Sequence, residues 1–474
     1  MKRFVSILLL SFAIASPLWA KTKITIVNAD AAGTGFNDST PATPVGGNSG
    51  TTLGQQRLNA FQRAADIWGG LLNSSVGIIV NAKFAPITSG GNACNILGQA
   101  GPSTFLANFA GAPKQNVWYP IALANALTGQ DLQPSKADIN AQFNAALDGS
   151  TCSFHWYYGF DGNHGGNVDL LVVLLHELGH GFGIAGTTDL TSGADDQNMP
   201  SVHELHTLDT VSGLHWDQMT DDQRRTSALG TRTLVWDGPS TNTFGNDVLD
   251  KVTFLTITGG AGPAQSFDFG TASFGDPATP ALFNGTVVAA TSGDGSATDG
   301  CTAFTNGGAV SGRIALVDRG NCNFTVKAAN AQAAGARALI VVDDGRATCG
   351  VPPGMGGSDG SITIPTISVT QPDGTAIRNR LATGATAALR VDPSTMAGAN
   401  NTGHLKLYAP CTLEQGSSVF HWDVSATPNL LMEPAINDDL GHGVDLTINQ
   451  LIDMGWPRSA DDGPPSGRRA LRRH

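Results

Sequence analysis

Residues 172–183, reading VVLLHELGHGFG, constrain this chain more than any other stretch. His176, Glu177 and His180 stand there in the order H-E-x-x-H, behind the apolar run Asp169-Leu-Leu-Val-Val-Leu-Leu. Such a run predicts a buried helix. On a helix, positions four apart lie about 40° apart around the axis and roughly 6 Å along it. Both imidazoles can therefore reach one metal ion. Glu177, next to the first ligand, is placed to take a proton from a metal-bound water, whose pKa zinc lowers to about 7. Gly179, Gly181 and Gly183 let other backbone approach and let the helix end. Five letters with two free positions also occur by chance, so the apolar context carries much of the weight. Two histidines do not complete a zinc site, and the chain must supply a third ligand.

The rest of the composition bounds the class. At 474 residues, two to four domains are expected. A net charge of -12 disfavours nucleic-acid binding. Fifty-nine glycines point to many strands and long loops rather than a helical bundle. Residues 1–20 read as a signal peptide: Lys2 and Arg3, an apolar segment over 4–14, and Pro17-Leu-Trp-Ala20 before a cut after Ala20. That segment is short for a membrane span, and no later one is longer. A secreted, or periplasmic, protein without a membrane span is expected. The six cysteines form no C-x-x-C, which argues against a thiolate zinc site or a redox pair. An even count in an exported chain favours three disulfides. Spacing does not prove the pairing; the reading adopted is Cys94–Cys152, Cys301–Cys322 and, by elimination, Cys349–Cys411.

Along the chain, residues 23–27 alternate like an opening strand. Residues 51–72 predict an amphipathic helix, with Leu58, Phe61, Ala65, Trp68 and Leu72 at helical spacing and Thr52 with Gln55 as a capping box. Val76, Ile78, Val80, Ala82 and Phe84 alternate as a strand with one buried face. Residues 137–147 predict a short helix, and residues 219–228 a short capped one. Beyond residue 266 the chain turns Gly/Ala/Val-rich. Strands over 313–320, 338–343 and 362–369, with a helix over 323–334, predict a small βαβ unit. Residues 446–454 predict a last helix, closed by Gly455-Trp456-Pro457, and residues 458–474 a mobile basic tail with two Arg-Arg pairs.

Two resemblances add to this. The run GRIALVDRGNCNFTVKAANAQAAGARALIVVDD, followed by IPTISVT, resembles the protease-associated (PA) domain over some 125 residues. Such domains are inserts or appendages of secreted and vacuolar hydrolases and sorting receptors, and are held to bind or cover rather than catalyse. The helix motif, an insert, His421-Trp422-Asp423, then Leu430-Leu431-Met432-Glu433-Pro434 and a terminal Gly-Trp resemble exported bacterial metzincins of the leishmanolysin type. The strict metzincin third histidine would fall on Gly186, and no Asp replaces it there. The resemblance instead makes His421, 241 residues after His180, the third ligand and Met432 the methionine of the turn beneath the metal. A long insert is no obstacle, since closure cost grows only logarithmically with length. Local alternatives are His164, His203, His206 and His215.

The expected architecture is α+β: a metzincin-like zinc peptidase domain, with a twisted sheet plus active-site helix, interrupted by a small α/β PA domain. Its parts are residues 21–240, an insert over 241–400 with the PA core at about 266–392, and residues 401–457. The expected activity is that of a secreted zinc endopeptidase acting on proteins or peptides, with one zinc on His176, His180 and His421 and Glu177 as general base. A gluzincin-like site with Glu204 as third ligand is a weaker reading. An exported binding or adhesion protein using the PA domain is the alternative from another class. Asp195-Asp196 offers carboxylates for calcium, but no EF-hand spacing supports it.

Overall fold

The computed structural model describes residues 21–87, 93–260, 262–293, 298–346 and 349–458. The expected signal peptide and residues 459–474 of the basic tail lie outside the described residues. The chain divides into two compact units, one of residues 1–187, 199–203 and 440–474, the other of residues 188–198 and 204–439.

In the first unit, β1 (Ile24–Asn28), helix α1 (Leu53–Leu71), β2 (Ile78–Ala85), β3 (Gly98–Pro102), α2 (Ile121–Thr128), β4 (Ile139–Asn144) and α3 (Leu170–Phe182) follow in order. The sheet runs β1-β2-β4-β3. β1, β2 and β4 are parallel, and β3 is antiparallel at the edge. Thr52 caps α1 by accepting from the Gln55 N–H, but the expected capping box is not completed, because Gln55 Oε1 accepts from the N–H and hydroxyl of Thr51 instead. The buried face of α1 includes Ala60, Phe61, Ala64, Ala65 and Trp68, whereas Leu58 is exposed. β2 buries Ile78, Val80, Ala82 and Phe84 at every second position. Residues 137–147 do not form the expected helix. Ile139, Ala141 and Phe143 are buried at a period of two, and this segment is strand β4 followed by a 3-10 turn. The closing helix Thr447–Asp453 is followed by Trp456, whose indole N–H donates to the Phe182 carbonyl at the end of α3.

The second unit contains two sheets. The smaller has the order β6-β5-β7-β16, formed by β5 (Thr207–Asp209), β6 (Leu214–His215), β7 (Leu234–Trp236) and β16 (Leu405–Lys406). A capped helix, α4 (Asp221–Ser227), follows Thr220. The larger sheet has eight strands in the order β9-β8-β15-β11-β12-β13-β14-β10. These are β8 (Lys251–Gly259), β9 (Gln265–Phe267), β10 (Gly270–Thr271), β11 (Asn284–Ala289), β12 (Ile314–Asp318), β13 (Ala338–Val342), β14 (Thr366–Val369) and β15 (Ala385–Met396). Helix α5 (Phe324–Ala333) joins β12 to the parallel strand β13, the predicted βαβ unit, and α6 (Gln371–Leu381) follows β14. Ile314, Leu316, Ile340 and Val342 pack in one core, while Ala315, Val317, Leu339 and Val341 pack with Ala328 and Ala331 of α5 in another. Burial on both faces explains why these strands read as continuous apolar runs. The expected strand over 362–369 is shortened to four residues behind Pro365.

All three disulfides form as paired in the sequence reading: Cys94–Cys152, Cys301–Cys322 and Cys349–Cys411. Among the described residues no helix is long and apolar enough to cross a membrane.

Candidate metal centre

Helix α3 places the first two histidines. Asp169 is its N-cap: Oδ1 accepts from the N–H of Leu171 at 2.9 Å and of Val172 at 3.4 Å, and Oδ2 lies 2.8 Å from His442 Nε2. A carboxylate at this end also suits the helix dipole. The Trp68 indole donates to the Leu175 carbonyl, fixing α3 against α1. On the other side a Cβ at position 181 would stand 2.7 Å from Ile139 Cγ2, so only glycine lets α3 approach β4 this closely. Gly183 ends the helix at φ +132°, where an L side chain is strained.

His176 and Glu177 are buried and His180 is half-buried. His180 Nδ1 stands 2.7 Å from the Ile184 carbonyl, and a carbonyl only accepts, so Nδ1 carries the proton and the Nε2 lone pair is left for a metal. That Nε2 lies 3.2 Å from His176 Nε2. Burial pushes the His180 pKa down, against the effect of the Ile184 bond, and the neutral form is the one that ligates. Burial pushes Glu177 up to about 8, against the N–H of Ala100 on edge strand β3, which bonds its carboxylate.

His421 sits on a loop that leaves and rejoins the small sheet. Leu407 and Trp422 pair at its base, and Cys411 ties it to Cys349. His421 is buried, its Nδ1 is 2.7 Å from the Ser417 carbonyl, and its own carbonyl accepts from the Tyr408 N–H. Its Nε2 is therefore also the lone-pair nitrogen. Met432 is fully buried, and its carbonyl accepts from the Trp422 N–H, the residue after His421. Glu433 folds back, accepting from the N–H of Leu430.

His176, His180 and His421 each offer a ligand atom within 4.8 Å of the others, and theirs is the metal-competent group of three among the described residues. The donor set fits zinc. Two nitrogens at 2.0–2.1 Å from a tetrahedral ion stand about 3.3 Å apart, close to the observed Nε2 separation. The other sequence candidates are engaged elsewhere. His203 is fully buried, with Gln450 Nε2 3.5 Å from its Nε2. His206 and His215 both face Asp237, at 3.4 and 2.6 Å. His164 is bonded to the Asn167 carbonyl on the surface. Glu204 lies in a 3-10 turn, where it accepts from the Thr188 hydroxyl, rather than on a following helix. Asp195 pairs with Arg224 and competes with Glu204 for the single Thr188 hydroxyl proton, from 2.6 Å.

Residues 283–377 match the PA domain family, and residues 46–198, which contain α3, match the family described as SPBPB7E8-like. Among curated proteins the chain is similar to Signal peptide peptidase-like 2 of Arabidopsis thaliana, 37% identical over 84 residues, or 18% of this chain and 15% of that protein. It is also similar to ER degradation-enhancing alpha-mannosidase-like protein 3 of Xenopus laevis, 42% identical over 84 residues, or 16% of this chain and 9% of that protein. The chain thus spans under a fifth of the length of these curated relatives. Among solved structures it overlaps BSAP, a zinc aminopeptidase from Bacillus subtilis, at 22% identity and TM-score 0.22, covering 34% of this chain and 37% of that one. It overlaps the Peptidase M28 precursor from Shewanella amazonensis SB2B at 14% identity and TM-score 0.22, covering 32% and 40%. Overlaps this weak carry no argument about chemistry. The chain carries a PA domain, and its three-histidine group is compatible with zinc.

Proposed function

We propose that this protein is a secreted, zinc-dependent endopeptidase with a metzincin-like ligand arrangement and a PA domain inserted before its third ligand. The observation that carries the reading is the convergence of His176, His180 and His421, two of them with Nδ1 committed to carbonyls. These three would hold one zinc ion through Nε2. Bound there, the metal supplies Lewis acidity that polarises a peptide carbonyl and acidifies a water.

The chain's own residues do the rest. Glu177 takes a proton at a carboxylate oxygen and passes it to the departing amine nitrogen. Desolvation, which raises the Glu177 pKa, makes its carboxylate a stronger base than an exposed one. The Ala100 N–H orients that carboxylate. Ser417 and Ile184 hold their imidazoles in the ligating tautomer. Asp169 fixes the start of the helix that carries two ligands and the base.

Zinc stoichiometry across His421→Ala, His203→Ala, His206→Ala and His215→Ala tests the ligand set, with hydrolysis of casein and of an N-terminally blocked peptide as the activity readout. Loss of zinc and hydrolysis in His421→Ala alone is expected. Full zinc in that variant overturns the assignment. Activity that vanishes on blocking the N-terminus replaces the endopeptidase reading with an aminopeptidase one. A folded wild type without zinc or hydrolysis favours a binding protein built around the PA domain.

A further inference from the structure

The disulfide Cys301–Cys322 within the PA domain stands against a buried cation. Lys327, on α5, is fully buried. Its ammonium donates to the Asp299 carbonyl at 2.6 Å, to the Gly320 carbonyl at 2.7 Å and to Cys301 Sγ at 3.4 Å. An ammonium donates through all of its N–H bonds and has no lone pair to place, so acceptors gathered around it suit the protonated form. Asp299 is the other charge at this place. Its carboxylate is turned onto its own donors, the Cys301 N–H at 3.0 Å, the Ser292 hydroxyl at 3.2 Å and the Asn321 amide at 2.8 Å. Cys322 directly precedes Asn323, the N-cap of α5, and both cysteines are half-buried rather than sealed in.

An ammonium touching one sulfur of a disulfide makes the two sulfurs unequal. It stabilises a thiolate at Cys301 and lowers that thiol's pKa. Exchange is faster when the departing thiol has the lower pKa. We propose that Cys301–Cys322 is a thiol-exchange site, taking a low-molecular-weight or protein thiolate at Cys322. The incoming thiolate attacks Cys322 Sγ and forms a mixed disulfide there. The Cys301–Cys322 bond breaks, and its electron pair goes to Cys301 as a thiolate held by Lys327. The incoming sulfur is oxidised as Cys301 is reduced, so no further oxidant or reductant is required. The proposal is independent of the metal reading, because no residue of the three-histidine group takes part.

The test uses the full chain, reduced glutathione as the probe, acid quenching and peptide mass mapping. The adduct is expected on Cys322 in the wild type. Lys327→Met and Lys327→Gln are expected to form it about tenfold more slowly, the scale set by a leaving thiol whose pKa has risen by a couple of units. Lys327→Arg, which keeps the charge, should stay much closer to wild type. An adduct on Cys301, equal adducts on both cysteines, or rates unchanged in folded Lys327→Met and Lys327→Gln would overturn the proposal. The wild-type adduct position decides the matter even if the variants fail to fold.

Discussion

Removing the Asp169 side chain should loosen the helix that carries His176, Glu177 and His180. Asp169→Ala deletes an N-cap that serves two backbone N–H groups, which costs about 1 kcal/mol. It also leaves His442 Nε2 without the carboxylate 2.8 Å away, in a pair where Asp169 is 6% and His442 21% exposed. That bond adds about 1 kcal/mol once solvent screening is allowed for. The sum, about 2 kcal/mol, should lower the urea midpoint of the first unit by about 1 M. Tryptophan fluorescence can follow the transition, because Trp68 is bonded to α3 at Leu175. Asp169→Asn keeps an oxygen for the cap but loses the charge, and should cost about half as much. A cycle with His442→Ala isolates the pair. An Asp169→Ala midpoint within error of wild type, or Asp169→Asn as damaging as Asp169→Ala, would refute the assignment of the stability to cap plus pair.

Other expectations are as direct. Glu177→Gln should keep zinc and lose about 10²-fold or more in peptide hydrolysis; retained turnover removes Glu177 as the base. Gly181→Ala sets a Cβ against Ile139 Cγ2 and should destabilise by about 1–3 kcal/mol in urea titration, and a neutral result would mean that β4 can yield. Opening Cys94–Cys152, which spans 58 positions, should cost up to about 4 kcal/mol by chain entropy, read as the stability difference of the paired serine variant. Burial pushes the Asp237 pKa up, but bonds with His206 and His215 outweigh it and leave the group below the usual carboxylate range. Its stabilisation is therefore present above the unfolded pKa of about 3.9 and is lost as pH falls through the lower folded value. Asp237→Asn should be less stable than wild type at neutral pH, and the gap should close in acid; a gap that widens there reverses the sign.

Local features were the legible ones. The cap at Thr52, the alternation of Ile78, Val80, Ala82 and Phe84, and the βαβ run from Ile314 to Val342 follow from rules that act over a few residues. Residues 139–144 misled because alanines at 137, 141, 145 and 146 favour a helix by propensity, while pairing with β2 and β3 makes the segment a central strand. His176, Glu177 and His180 were legible because one helix sets their spacing. His421 was not: no periodicity links it to His180, and only the resemblance through Met432 pointed there. Burial would not have separated it from His203, since both are buried and both have a polar partner. Lys327 carried no signal either. An isolated lysine on a predicted helix reads as solvated, whereas the carbonyls of Asp299 and Gly320 and the Cys301 sulfur give it an interior place.

The ladder between β8 and β15 opens with Lys251 opposite Met396, and the Ala397 N–H donates to the Asp250 carbonyl. A backbone entering at one of these points and leaving at the other has travelled almost nowhere, and of the three disulfides only Cys349–Cys411 crosses this doorway. Excising the stretch in between and bridging the gap with a two- or three-residue turn would leave the Cys411 thiol without its partner, so such a deletion has to carry Cys411→Ser as well.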